Sequence, residues 1–127
     1  MILTKEAILA ASDVPREEVE VPEWGGTVIV SGLTGYGREQ FEAAVAEGKK
    51  TGNVTNLFAT MAALTIVDAE GHRLFALEET AMLGEKSREA LVRVVSVATR
   101  LSGMEVKAVE EMAENLPDGQ GGSSSSA

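Results

Sequence analysis

The sequence predicts an α+β fold that is mostly helical and begins with a β-hairpin. Two short runs rich in β-branched residues, Glu18–Val21 and Thr27–Ser31, flank a five-residue loop with two glycines, which is typical of a hairpin. Beyond the hairpin, apolar residues recur every three or four positions, the period of a helix packed on one face. These observations predict about four to five helices after the hairpin, with a second short hairpin or turn near residues 66–75.

In the first half of the chain, local signals place three helices. Thr4 is a suitable N-cap for a short helix, and the segment containing Pro15 ends it. Leu33–Gly37 is interpreted as a flexible hinge into a helix over about residues 38–50. A further helix is expected to start near residue 54 or 55. The apolar faces of these two helices consist of Phe41, Ala44, Val45 and Gly48, and of Leu57, Phe58, Met61, Leu64 and Thr65.

The middle of the chain contains a strong turn signal at Asp68–Gly71. We expect Gly71 to have a positive φ and Asp68 to accept hydrogen bonds from nearby backbone N–H groups. Before the turn, residues 65–67 fit either a last helical turn or a short strand, because so few residues do not define a period. After it, His72–Phe75 is predicted to be extended, and Leu77–Leu83 to form one or two helical turns.

The last third of the chain contains its longest predicted helix. Ser87 is a suitable N-cap for a helix over Arg88–Leu101, which Ser102 and Gly103 close, and a final helix is expected over about residues 105–115. Residues 117–127 are rich in glycine and serine and contain nothing that a core would bury, so they are predicted to be a disordered tail. Residues 1–116 are accordingly expected to form a single globular domain.

Composition excludes several classes of function. The 127 residues contain no cysteine and have a formal net charge of −9, so disulfides and thiolate metal sites are excluded and a nucleic-acid partner is disfavoured. Apolar runs are far shorter than the ~20 residues that span a bilayer, so no membrane partner is expected. The first residues lack the basic start and long apolar block of a signal peptide. The sequence therefore predicts a soluble, acidic, cytoplasmic protein.

The residue types needed for catalysis are scarce. His72 is the only histidine, and it follows a turn glycine, which is more typical of an exposed turn than of a catalytic triad or a zinc site. The glycines of Gly32–Gly37 lack the Lys-Ser or Lys-Thr pair of a phosphate-binding loop and the spacing of a dinucleotide site. Asp68 and Glu70 do not have the spacing of a calcium loop. We predict a protein that is not an enzyme and has no catalytic, cofactor or metal site.

Apolar surface on the 88–101 helix is wider than one core contact needs. This width fits either a central helix surrounded by the rest of the fold, or a helix with one edge against another subunit or a client helix. We expect self-association, with Val92 or Val97 at or near an interface. The candidate interface residues are Leu91, Val92, Val95, Val97 and Leu101.

Three stretches of the sequence, in this order, carry a family resemblance. The first comprises Leu3–Leu9, Val19–Gly26 and Leu33–Gly35. The second comprises Ile66–Gly71 and Leu74–Phe75, and the third Leu83–Ser87 and Leu101–Gly103. Together they span most of the chain before the tail. In their order and spacing they resemble the tail assembly chaperones of phages with long, non-contractile tails, in the short form that precedes a frameshift.

The resemblance implies a role in viral morphogenesis that is not catalytic. It implies that the chain self-associates, binds and solubilises a helical tape measure protein, and helps recruit tail tube protein through a longer frameshifted form. Such a phage or prophage protein acts in the host cytoplasm and is not expected in the mature virion. Gln120–Gly122 can be encoded by a run of guanines on which a ribosome slips. The alternatives are a structural or adaptor protein of the head–tail region and a small acidic protein-binding module.

Overall fold

The computed structural model describes residues 1–51, 56–104, 107–109 and 111. Helices pack against a three-stranded antiparallel sheet in the order β1-β2-β3. The helices are α1 (Lys5–Ala10), α2 (Gly35–Thr51), α3 (Leu57–Thr65), α4 (Thr80–Leu83) and α5 (Arg88–Leu101), and the strands are β1 (Arg16–Val21), β2 (Gly26–Ser31) and β3 (Ile66–Val67). This arrangement confirms the predicted α+β class, mostly helical with an N-terminal hairpin.

Strands β1 and β2 form the predicted hairpin, in which Arg16 pairs with Ser31 and Val21 with Gly26. The connection is a short 3₁₀ turn, Pro22–Trp24. In β1, Val19 and Val21 are buried and the alternating Glu18 and Glu20 are exposed, as the alternation of charged and apolar residues predicted. The hairpin therefore buries one face of β1 against the helices and leaves the other face to solvent.

Helix α2 begins earlier than predicted. The hydroxyl of Thr34 accepts a hydrogen bond from the N–H of Gly37 at 2.9 Å, and its carbonyl accepts one from Arg38 at 2.8 Å. Thr34 thus caps the helix, and Gly35–Gly37 form its first turn. The prediction of a flexible hinge over these glycines is wrong, because the cap satisfies the N–H groups that would otherwise favour a loop.

Helix α3 is the centre of the core, which the sequence did not predict. Eight of its nine residues are buried, all except Phe58. The predicted single apolar stripe is therefore too narrow, because α3 packs against α2, α4 and α5 together. Its alanines allow these elements to approach from several sides.

A second short hairpin follows α3 directly. Ile66 and Val67 form β3, which pairs with Val30 and Ile29 of β2, so the open choice between a helical turn and a strand is resolved as a strand. The chain then turns back, and Val67 pairs with Arg73. Gly71 has a φ of +92°, which confirms the expected left-handed conformation at the end of the turn.

The later elements follow the local sequence signals closely. Leu77–Glu79 forms a 3₁₀ turn and leads into α4, and α5 has the predicted bounds and the predicted cap. Residues 107–109 are helical, and Val109 is buried in the core. The rest of the helix expected over 105–115 and the tail at 117–127 lie outside the described residues. The tail, and with it the division into domain and tail, remains a prediction.

Gly32 lies where β2 meets the end of α5. A Cβ atom built on Gly32 would lie 2.8 Å from the backbone oxygen of Leu101, which is closer than real Cβ contacts. The N–H of Gly32 also donates to the carbonyl of Pro15 at 2.9 Å, so this backbone is held from two sides. A side chain here would force α5 away from the sheet.

We expect Gly32→Ala to lower the free energy of unfolding by about 1–3 kcal/mol, as other overpacked positions do. Gly26→Ala, at the other end of β2, is the matched control, because a Cβ there meets no atom within 4 Å. Chemical denaturation of both variants measures the difference. Equal stability of the two variants would contradict the close approach of Gly32 to α5.

Candidate protein interface

The candidate interface lies on α5. Capping residues at both ends of this helix set where it begins and ends. The hydroxyl of Ser87 accepts a hydrogen bond from the N–H of Ala90 at 3.2 Å. Glu89 in the first turn and Arg100 in the last complement the helix dipole. At the C-terminal end, the hydroxyl of Ser102 donates to the carbonyl of Ala98 and accepts from the N–H of Leu33 at 2.8 Å. The position of α5 against the hairpin is therefore fixed by hydrogen bonds as well as by packing.

Two of the five candidate interface residues belong to the chain's own core. Leu91 is 7% exposed and Val95 is fully buried, within the cluster that includes α3. Both side chains pack inward, because α5 lies against both α3 and β1. An interface role for Leu91 and Val95 stays a prediction, and their burial makes them the least accessible of the five candidates.

The other three candidates, Val92, Val97 and Leu101, are half-buried. Val97 packs against the core cluster, and the backbone of Leu101 lies beside Gly32. Val92 instead lines an open groove of about 450 Å³ together with Arg88, Glu89 and Arg93. Among the described residues of α5, Val92 is thus the apolar side chain best placed to meet a partner, and its interface role stays a prediction.

Ion pairs join the outer side of α5 to the hairpin. The Arg93 guanidinium donates to both carboxylate oxygens of Glu23, at 2.9 and 3.2 Å, and the Arg100 guanidinium donates to both oxygens of Glu17, at 2.9 Å. The hydrogen bond from Arg93 holds the pKa of Glu23 below its ordinary value. Val97 lies four residues after Arg93 and three before Arg100, so both ion pairs are on its side of the helix.

At the other edge of the groove, the guanidinium carbon of Arg88 lies 4.9 Å from the centre of the Phe58 ring. This is the geometry of a cation–π contact. The guanidinium covers part of Phe58, the one α3 side chain that is not buried. The groove at Val92 is thus bordered by one arginine stacked on an aromatic ring and another paired with a glutamate.

The turn after β3 brings Asp68, Glu70 and His72 together, with ligand atoms within 4.8 Å of one another. The Asp68 carboxylate accepts hydrogen bonds from the N–H groups of Glu70 and His72, both at 2.9 Å. This confirms the predicted hydrogen bonds of Asp68. The bond from His72 is the main cause that lowers the pKa of Asp68. The Asp68 carboxylate therefore stabilises the turn. This structural role accounts for the proximity of the three side chains.

A second apolar surface was not among the sequence candidates. Large apolar side chains are exposed in and around α1, on the segment from Leu74 to Met82, and at Tyr36. The sequence did show Ile8 and Leu9 as an apolar edge of α1, but it gave no sign that both side chains would be more than half exposed. Among the described residues, no helix is both long and apolar enough to cross a bilayer.

The described residues have the fold of a phage tail assembly chaperone. A search of solved structures matched the tail assembly chaperone of bacteriophage HK97 with a TM-score of 0.57 and 17% sequence identity. The match covers 76% of this chain and 90% of the HK97 protein. No protein-family model and no curated protein matches the sequence. At this identity the likeness establishes the fold, and it agrees with the family resemblance in the sequence.

On α5, Val95 is buried and Val92 is only half-buried. The same substitution to glutamate should therefore affect the stability of the fold very differently at the two positions. Val95→Glu places an unpaired charge in the core and should unfold the domain, since such burial costs several kcal/mol. Val92→Glu should leave the fold intact, because its side chain faces the groove. Circular dichroism during thermal unfolding distinguishes the two. Similar large losses of stability at both positions would show that Val92 is a core residue.

The Glu23–Arg93 pair predicts a dependence of stability on pH. Since folding lowers the pKa of Glu23, its contribution is present above the ordinary carboxyl pKa of about 4 and is lost as the pH falls through the lower folded-state value. Wild type should melt at a higher temperature than Glu23→Gln at pH 7, and the difference should vanish in acid. Glu20→Gln, on an exposed position of β1, is the control. A difference that persists in acid would exclude the charge as its cause.

Proposed function

We propose that the chain is a phage tail assembly chaperone. The observation that carries this proposal is the fold likeness to the HK97 tail assembly chaperone, which includes 90% of that protein. The three stretches of sequence that resemble the same family in their order and spacing support the proposal independently. The scarcity of catalytic residue types in the sequence agrees with a role in binding.

The proposed client is the tape measure protein, a long amphipathic helix that the chaperone keeps in solution. The groove at Val92 suits such a client, because Val92 offers an apolar contact and the exposed Glu89 beside it offers a charge to a helix laid along α5. The excess negative charge of the chain helps to keep the complex dispersed. We place the client on this surface.

The proposal includes a longer product that recruits the tail tube protein. Ribosomal slippage at Gln120–Gly122 would replace the last residues of the chain by a different extension. The codons decide this point: a Gly121 codon other than GGG, or an immediate stop in the −1 frame, rules out slippage at this run. These residues lie outside the described part of the structure.

Co-expression tests the chaperone role. A long helical tape-measure protein should shift from the insoluble to the soluble fraction when it is produced together with this chain. Val92→Glu should reduce the amount of soluble client several-fold, because a charge replaces the apolar side chain of the groove. Ala43→Glu, on an exposed position of α2, is the matched control and should retain full effect.

A client that stays insoluble with the wild-type chain contradicts the proposed function. A client that is solubilised equally by wild type and Val92→Glu supports the function but contradicts the placement of the client on α5.

A further inference from the structure

Strand β1 lies at the free edge of the sheet. The described strands have the order β1-β2-β3, so β1 has β2 as its one neighbour, and its six residues pair with β2 without a bulge. At the opposite edge, Arg73 bridges to β3. An edge strand presents backbone N–H and C=O groups that are not paired within the sheet, and it is a template on which another chain can pair.

The hydrogen bond from the N–H of Gly32 to the carbonyl of Pro15, at 2.9 Å, shows which groups of β1 face outward. In an antiparallel pair, residues that exchange hydrogen bonds alternate with residues that do not. Pro15 lies opposite Gly32 in the register of the hairpin, so every second residue from Pro15 onward bonds to β2. The N–H and C=O groups of Arg16, Glu18 and Glu20 therefore point to the free edge, where no described residue hydrogen-bonds to them.

The side chains of β1 are divided between two faces. Val19 and Val21 pack toward the helices, whereas Glu18 and Glu20 are exposed on the opposite face. Two positions along a strand separate the glutamates by about 7 Å. Neither forms an ion pair or a side-chain hydrogen bond with a described residue. A strand added to this edge would meet two carboxylates on its solvent side.

The charge around this edge is negative when the neighbouring arginines are included. Residues 12–24 contain five acids and one base. The base, Arg16, donates to the carbonyl of Ala69 in the turn after β3, so its guanidinium reaches away from the free edge. Two arginines of α5 also reach the hairpin, but each is paired, one with Glu23 and the other with Glu17. The remaining negative potential attracts a basic segment to the edge.

Two other occupants of the edge are disfavoured by their charge. A second copy of β1 would place glutamates beside glutamates, and like charges on neighbouring strands are destabilising. Residues 112–127 of the chain itself contain two acids and no base, so they are repelled as well. Opposite charges on neighbouring strands stabilise a sheet, so the edge suits a basic strand.

From these observations we propose that β1 binds an extended basic segment of a partner protein as a fourth strand of the sheet. The backbone of the segment pairs with the outward groups of Glu18 and Glu20, and its lysine or arginine side chains lie beside the two carboxylates. The residues between them face the side on which α5 packs, so apolar β-branched residues suit those positions. This inference goes beyond the proposed function, because the edge is a different surface from the groove at Val92.

Synthetic peptides test the pairing. A dye-labelled peptide of alternating lysine and valine, slightly longer than β1, is titrated with the chain at low salt, and fluorescence anisotropy measures the dissociation constant. A peptide of alternating lysine and proline is the control, because it has the same charge but proline has no N–H to donate. We expect the lysine–valine peptide to bind about tenfold more tightly, since only its full backbone can pair with the edge.

Substitutions locate the site. Glu18→Gln with Glu20→Gln should weaken binding of the lysine–valine peptide about fivefold, because two opposite-charge pairs are lost. Glu39→Gln with Glu85→Gln, at exposed positions on α2 and after α4, is the matched control, since it changes the net charge equally. Val92→Glu should leave the dissociation constant nearly unchanged, so the edge and the client groove are tested separately.

Amide hydrogen exchange followed by NMR identifies the new hydrogen bonds. With saturating lysine–valine peptide, exchange of the N–H groups of Glu18 and Glu20 should slow, because both groups gain an acceptor. The N–H of Val19 belongs to the set that bonds to β2 and is the internal control. The lysine–proline peptide should leave all three exchange rates unchanged.

Four results overturn the inference: no binding of the lysine–valine peptide, equal binding of the two lysine peptides, equal effects of the two double variants, and protection confined to amides outside β1. Equal binding of the two peptides would show attraction by charge alone, without a fourth strand. None of these results bears on the chaperone role, because co-expression with the helical client measures that role separately.

Discussion

The burial of α3 on all sides constrains the positions of the other elements. Ala59, Ala62 and Ala63 keep the helix thin, so α2, α4 and α5 can pack around it. The fully buried Thr65 is satisfied within the helix, where its hydroxyl donates to the carbonyl of Met61 at 2.7 Å. The strand that follows α3 without a loop then fixes the sheet relative to the helices. A larger residue at one of the alanines would push several elements apart at once.

This constraint decides what α5 can offer to a partner. Its inner side is used against α3 and the hairpin, and Arg93 and Arg100 connect its outer side to Glu23 and Glu17. The wide apolar face in the sequence is therefore divided by the fold into a large buried part and a small open part at Val92. Exposed ion pairs such as these contribute little stability each, so packing rather than charge fixes most of the position of α5.

Sequence reasoning succeeded where the signal is local. The caps at Thr4 and Ser87 and the Asp68–Gly71 turn each satisfy backbone groups a few residues away, so their effect is visible in the sequence. It failed where packing decides. The apolar stripe predicted for α3 and a helix that is almost wholly buried differ only in what surrounds the helix, and the burial of Leu91 and Val95 on α5 likewise depends on the neighbouring elements. The exposure of Ile8 and Leu9 depends on where the other described elements pack, which no local pattern encodes.

If copies associate away from α5 while the client lies on α5, the two contacts do not compete for the same side chains. Each groove then contributes a modest affinity, but neighbouring grooves in one assembly act on a single long helix. Once one groove has bound, the next meets the client at a high effective concentration, so the assembly holds the client far more tightly than one copy does. Because the individual contacts stay weak, copies can leave one after another. A carrier built in this way holds a long helix in solution and still releases it.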